Sequence, residues 1–238
     1  MERFDLLPVG LFGLLVLLES LRPGRARGRR WLANGGLLVA NGLLAAVIVQ
    51  QATHDDVPAW PVWIAGVLFM DLVHYAGHRL MHAVPLLWRV HVVHHNDLDL
   101  DVTTALRTHP IEFVVLYGLS WALAALAGVP AVVMAGYGLV LLGVEMLQHA
   151  RLTLPDWLER SVRWVVVTPG YHRLHHSPER AVHDSNYGGV FTLWDRAFAT
   201  MRLPAAPGEP ARVGVPGYEQ PRQQSLAGVL AAPLVRSA

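Results

Sequence analysis

Apolar runs recur along the first two thirds of the chain. Residues 6–18 are apolar and uncharged, and the run reaches Leu21 only by including Glu19 and Ser20. Residues 31–52 follow without a charge, enough at about 1.5 Å per helical residue to cross a hydrocarbon core of about 30 Å. A third run covers 57–70. The fourth and fifth, 113–129 and 131–147, have about 17 residues each and are separated by the breaker Gly128-Val129-Pro130, so a full hairpin and a re-entrant one both fit. This pattern predicts an all-α fold: an integral membrane helical bundle of about four to five apolar helices. The first run reads as a membrane helix rather than a secretory signal, because Glu2 and Asp5 precede it, the basic residues follow it, and no small-residue cleavage site intervenes.

Charge orients the bundle. Arg22, Arg25, Arg27, Arg29 and Arg30 lie before the second run, and His54, Asp55 and Asp56 lie after it. The positive-inside rule places the arginines in the cytoplasm, so the third helix delivers residues 71–82 to the cytoplasmic face. A hairpin over 113–147 returns the chain to the side it left, bringing the later motifs to that face as a histidine-rich helical cap. Residues 203–238, rich in Pro, Gly and Ala, read as a cytoplasmic tail after a single domain over 1–202. Composition agrees: 53% of the 238 residues are hydrophobic and 16% charged, with a mean hydropathy of +0.34. The absence of cysteine excludes internal disulfides, zinc fingers and iron-sulfur clusters. No basic stretch interleaves with aromatics, which argues against a nucleic-acid partner.

Twelve of the 13 histidines fall between His74 and His183. They form the sets His74, His78, His82; His91, His94, His95; and His172, His175, His176. Imidazole is a common neutral ligand for transition metals, and helix positions i, i+3 and i+4 lie on one face, so each set is expected to aim its rings at a single point. His149 follows the last apolar run. The stronger candidates are His78, His82, His91, His94, His95, His149, His172, His175 and His176, more imidazoles than one ion can use, so two metals are implied. The nearly carboxylate-free set leaves Fe, Zn, Cu or Mn.

Five further residues are candidates for additional ligation or for orienting a ligand. His74 extends the first set by a turn. Glu145, one turn before His149, is a direct ligand, a helix-end charge or, the preferred reading, a carboxylate orienting His149. Asp71, three and seven residues before His74 and His78, is either an orienting carboxylate or a helix-terminal charge. His109 lies in Thr108-His109-Pro110-Ile111-Glu112, where proline suits a first helical turn and capping explains part of the pattern. His183 is the weakest, and His54 is taken as unrelated.

The motifs His78-Arg79-Leu80-Met81-His82, WxxHxxHH from Trp88 to His95, Thr103-Thr104-Ala105-Leu106-Arg107, PxxHxxHH from Pro169 to His176, Asn186-Tyr187-Gly188 and Trp194-Asp195-Arg196 resemble the fatty acid hydroxylase/sterol desaturase superfamily, in a bacterial-type form. The resemblance runs over about 71–201. It implies a membrane-embedded di-iron enzyme that uses O2 and two electrons to attack an unactivated C–H bond of a lipid, with hydroxylation as the default and desaturation as a variant. It implies the nine stronger histidines as ligands of two Fe ions, with zinc able to substitute on purification. Asn186, Tyr187, Trp194 and Asp195 match scaffold and site-wall positions. No flavin, haem or nicotinamide motif is present, so reductant comes from an external electron-transfer protein, ferredoxin-, cytochrome b5- or reductase-like. The implied location is the bacterial inner membrane with the site on the cytoplasmic face.

Two rivals stand beside this reading. A zinc-dependent membrane hydrolase of a lipid ester or amide needs a carboxylate general base, which neither HxxHH box contains, so Glu145 or Glu112 would have to serve. A non-enzymatic metal-binding membrane protein gains little from apolar hairpins. The sequence leaves the lipid open among fatty acyl, sterol, carotenoid, hopanoid and ether lipid.

Overall fold

A computed structural model of the chain describes residues 6–21, 28–49, 57–204 and 212–235. Among the described residues the regular structure is helical, with one isolated antiparallel bridge between Val166 and Phe191. The longer helices are α1 (Leu6–Ser20), α2 (Gly28–Val49), α3 (Trp60–Ala83), α4 (Pro85–His95), α5 (Pro110–Leu126) and α6 (Ala131–His149); α7 (Asp156–Val162), α8 (Pro169–His175) and α9 (Leu226–Ala231) are short. Arg22, Arg25, Arg27 and the loop of His54, Asp55 and Asp56 lie outside the described residues.

Proline sets where the site-bearing helices begin. Pro61, Pro85, Pro110 and Pro169 each occupy the first turn of their helix, where the missing N–H is not needed. Pro85 also holds Val84 extended (φ −100°, ψ 114°), which breaks α3 from α4 and lets the two run against each other. Thr168 caps α8 by accepting from Tyr171 N at 3.3 Å, a contact of a kind worth about 1 kcal/mol. α5 carries a π-helical stretch over Phe113–Gly118.

α3, α5 and α6 pack around Met70, Ala124, Met134, Tyr137 and Leu141. Gly66 permits the close passage of α3 past α6: a Cβ there would stand 2.7 Å from Val133 Cγ1. The motif segments fold into a cap beside this bundle. Val102–Leu106 forms a 3-10 turn closed by a capping box, in which Asp101 accepts from Thr103 N and Thr104 Oγ1 accepts from Asp101 N.

Three expectations change. One described helix, Ala131–His149, is long and apolar enough to cross a membrane; α1 and Pro110–Leu126 are apolar but shorter, so of the expected bundle of about four to five apolar helices the described residues give the all-helical fold and one such span. Arg30, counted above as a loop charge, is buried in an ion pair with Asp97 and Asp101. The expected tail is packed in part: Val229 and Ala232 join Ala33, Leu37, Val92 and Val93 in one apolar cluster. Gln224 fastens this segment by donating to Asn96 O and Tyr218 O and accepting from Arg107. The Pro/Gly-rich composition hid two apolar positions, Val229 and Ala232, spaced three apart so that a short helix docks on them.

Candidate metal centre

The histidines gather into two groups, and the helices explain how. His78 and His82 from α3, His91 and His95 from α4, and His175 from α8 form one cluster; His94, His149, His172 and His176 form the other. Each HxxHH box therefore divides between two sites, contrary to the expectation of one focus per set. At about 100° per residue, positions i and i+4 stand about 40° apart, whereas i+3 is turned about 60° to the other side of i. The α4 box gives its outer pair, His91 and His95, to the first cluster and His94 to the second. The α8 box does the reverse, giving His172 and His176 to the second and His175 to the first.

Within each cluster the ring nitrogens converge. His82, His91 and His95 place their Nε2 atoms 3.1–3.2 Å apart. In the second cluster the Nε2 separations between His149 and His94, His176 or His172, and between His172 and His176, are 3.0–3.2 Å. Metal–nitrogen bonds of about 2.0–2.1 Å put adjacent ligand nitrogens roughly 3.0–3.4 Å apart, so the spacing fits an ion at each cluster.

Proton placement supports the same fit. His78 Nδ1 donates to Tyr187 O at 3.0 Å, His175 Nδ1 to Ser185 O at 2.6 Å and His149 Nδ1 to Glu145 O at 2.7 Å. His91 Nδ1 meets Glu112 Oε1 at 2.6 Å and His82 Nδ1 meets Asp184 Oδ1 at 3.2 Å. Carbonyls and carboxylates only accept, so these five rings carry their proton on Nδ1 and present bare Nε2 lone pairs to one another. Such lone pairs repel unless a cation lies between them. His78 Nε2 and His175 Nε2 are buried and have no protein partner. Burial, first, and neighbouring imidazoles push His94, His95, His172 and His176 well below the usual histidine range; burial pushes His175 down to about 3. These rings are neutral at neutral pH, the form that ligates.

The loops behind the ligands are held with equal care. Asp195 accepts from Tyr187 N and Gly188 N, both at 2.8 Å, fixing the strip whose carbonyl receives His78. Asn186 takes a left-handed φ of 59°, which asparagine tolerates, and its side chain joins Tyr171 O to Arg202. Gly189 lies against α3, where a Cβ would meet His74 Cδ2 at 2.6 Å.

The five additional candidates lie outside the two main clusters, although His183 forms a third possible ligand group with His82 and Asp184. His74 is in neither cluster; its ring stands 6.0 Å from that of His78 and lines the pocket between the clusters. Asp71 orients no histidine: its carboxylate accepts from Tyr137 Oη, Val190 N, Phe191 N and Trp194 Nε1, because the 190–194 loop packs on the helix face it shares with His74. Glu145 accepts the His149 proton through its backbone oxygen, while its carboxyl receives Tyr117 Oη at 3.0 Å. His109 caps α5 by accepting from Ile111 N at 3.1 Å and turns its other nitrogen to Leu230 O. His183 reaches Asp184 at 3.2 Å, beside His82 at the edge of the first cluster.

Glu112 and Asp184 behind their histidines were not anticipated in these roles. The signal available was a carboxylate three residues beyond His109 and one directly after His183. Gln148 was also missed. It is buried beside His149, lines the pocket between the clusters, and leaves its Oε1 without a partner.

An apolar cavity of about 340 Å³ adjoins this pocket. Leu38, Met70, Phe113, Trp121, Leu141 and Leu142 line it, and His74, Ala105, Thr108, Tyr117 and Glu145 belong to both spaces. The π-helical stretch places Phe113 and Tyr117 in this wall.

Two histidine clusters that could each hold a metal ion lie beside an apolar cavity, and the sequence comparison gives the family: this chain belongs to the fatty acid hydroxylase family, whose model matches residues 63–200. It is 32% identical over 142 residues to an alkylglycerol monooxygenase of Xenopus tropicalis, covering 60% of this chain and 30% of that protein. It is 28% identical over 199 residues to the ornithine lipid hydroxylase OlsE of Rhizobium tropici, covering 78% of this chain and 59% of that protein. The match to human alkylglycerol monooxygenase is 30% over 146 residues, covering 58% and 30%. The chain thus spans about a third of the alkylglycerol monooxygenases and under two thirds of the lipid hydroxylase. No solved structure matches it at comparable significance.

Proposed function

We propose that this chain is a membrane-bound, O2-dependent lipid hydroxylase, or desaturase, that works through a histidine-ligated pair of irons and an external electron donor. The observation that carries this reading is the contact between the pocket of the two histidine clusters and the apolar cavity, through the shared wall of His74, Thr108, Tyr117 and Glu145. His78, His82, His91, His95 and His175 would hold one ion, and His94, His149, His172 and His176 the other. Two irons held there would supply reductive activation of O2, and for hydroxylation the balance would be one oxygen atom into a C–H bond and one into water, with two electrons and two protons delivered from outside.

The chain's own residues bind, orient and shield. Glu112, Asp184, Tyr187 O, Ser185 O and Glu145 O fix the tautomer and tilt of their histidines, so that no ring reorients between turnovers. Burial of all nine side chains excludes bulk water from the centre. Leu38, Met70, Phe113, Trp121 and Leu141 hold an apolar chain beside it.

Membrane residence is supported by exposed apolar side chains on five helices, including Leu7 and Leu17 on α1, Leu43 on α2, Ile64 on α3, Leu119 and Leu126 on α5, and Val140 on α6. The site then faces the cytoplasm of a bacterial inner membrane, where a ferredoxin-, cytochrome b5- or reductase-like donor reaches it. The test is anaerobic iron loading, reduction, and exposure to ¹⁸O2 with bilayer lipid extracts. One labelled oxygen in a lipid product supports the hydroxylase, an unlabelled olefin supports the desaturase, and a product formed without O2 overturns both in favour of a hydrolase.

A further inference from the structure

Residues 212–235 grip the ends of both helices that carry an HxxHH box. Gln224, itself buried, donates to Asn96 O and Tyr218 O, both at 2.9 Å, and accepts from Arg107 Nη2 at 3.1 Å. Asn96 is the C-cap of α4 and follows His95 directly. Gly214 N donates to His176 O at 3.4 Å, at the C-cap of α8. Gly214 has a left-handed φ of 100°, and a Cβ there would stand 3.1 Å from Asp97 O, so the approach is suited to glycine. Tyr218, Val229 and Ala232 anchor the segment in one apolar cluster with Val92 and Val93 of α4.

Arg107 carries this grip to a ligand. It is fully buried, and it donates to Val93 O at 2.8 Å and to Asn96 Oδ1 at 2.6 Å, which fixes the last turn of α4. Its backbone hydrogen-bonds the ring of His94, whose Nε2 turns to His149.

The two clusters differ in how far they depend on such support. In the first, His78, His82, His91 and His175 each have an acceptor at Nδ1, supplied by Tyr187 O, Asp184, Glu112 and Ser185 O. In the second, His149 has Glu145 O and His94 has Arg107, but Nδ1 of His172 and of His176 has no protein partner. An imidazole without such an acceptor is oriented by the backbone that bears it, and here that backbone is the short helix whose end Gly214 holds.

We infer that residues 212–235 form a strap that positions the second cluster, and that Gln224 is a positioning residue for the ion held by His94, His149, His172 and His176. The inference rests on the two-ion part of the reading above and is independent of the reaction.

The test reads metal binding. Ferrous iron is titrated anaerobically into the full chain in detergent, in competition with a chromophoric chelator. His175→Ala leaves the second cluster whole, and His94→Ala leaves the first. Adding Gln224→Leu is expected to weaken iron about tenfold in the His175→Ala chain and by less than about twofold in the His94→Ala chain. A general loss of stability would weaken both alike. Equal weakening, or none, in folded chains overturns the inference.

A second measurement leaves Gln224 in place. Linkage is reciprocal, so an ion in the second cluster must tighten the strap in return. Backbone amides over 214–231 are expected to exchange more slowly when His175→Ala is loaded with iron, and to change little when His94→Ala is loaded. The same gain in both, or none in either, overturns the inference even if Gln224→Leu does not fold. A native chain that binds a single ion defeats the two-ion reading and this inference with it; two ions with a strap indifferent to both defeat this inference alone.

Discussion

His95 and His176 stack with ring centroids 4.4 Å apart and planes inclined by only 23°, yet they serve different clusters. His95 turns its Nε2 toward His82 and His91, and His176 turns its own toward His149 and His172. The pair is the seam of the site. It arises because each box contributes two histidines to one cluster and one to the other in opposite senses, so His95, the last histidine of the first box, meets His176, the last of the second, face to face.

Glu112 fixes His91, and its loss acts on metal affinity. Glu112→Leu fills the buried position with an apolar side chain of similar size and leaves His91 Nδ1 without its carboxylate acceptor. Metal affinity of the cluster containing His91 is expected to fall about 10–100-fold. Chelator competition measures this; Glu112→Gln, which retains an acceptor oxygen, falls by less.

Asp71 holds a loop, and its loss acts on stability. Its carboxylate takes four donors, whereas an asparagine offers one oxygen and turns N–H groups at the rest. Asp71→Asn is expected to cost roughly 2–6 kcal/mol, from donors left unsatisfied in a buried site. Thermal denaturation should register a large loss while the folded fraction keeps its full metal content. A metal deficit without a stability loss would return Asp71 to the role of orienting His74 or His78.

Arg30 and Asp97 form a buried pair between α2 and the segment after α4. Arg30→Ala strands the buried carboxylates of Asp97 and Asp101 and is expected to cost roughly 3–5 kcal/mol, whereas a double replacement of Arg30 and Asp97 by Met and Leu still strands Asp101 and recovers only part of that loss. A double-mutant cycle read by denaturant unfolding in detergent tests this.

His109 is a cap. His109→Ala is expected to cost about 1 kcal/mol, the usual price of losing a side-chain cap, with no change in metal bound. Loss of a metal ion in this variant would make His109 a ligand.

Much of the site was legible because its chemistry is concentrated in one residue type at helical spacing. HxxHH boxes announce candidate ligands locally, and Pro61, Pro85, Pro110 and Pro169 announce where the supporting helices start. What local spacing could not give was the division of each box, since whether His94 joins His91 or leaves it depends on where α6 and α8 arrive. The roles of Glu112 and Asp184 were hidden for a related reason: their partners, His91 and His82, lie 21 and 102 residues away. Asp71 was misplaced because sharing a helix face with His74 and His78 gives proximity without excluding a loop from elsewhere in the chain. The packed segment at 212–235 was obscured by Pro and Gly, which mark irregular backbone and say nothing of whether it is buried.

The central claim is that two histidine clusters hold two metal ions, and anaerobic titration with ferrous iron, followed by metal analysis of the desalted chain, tests it most directly. The account predicts saturation at about two irons per native chain, and at about one in both His94→Ala and His175→Ala, which remove a ligand from different clusters. Saturation of the native chain at a single ion, or loss of the same ion in both variants, would contradict it.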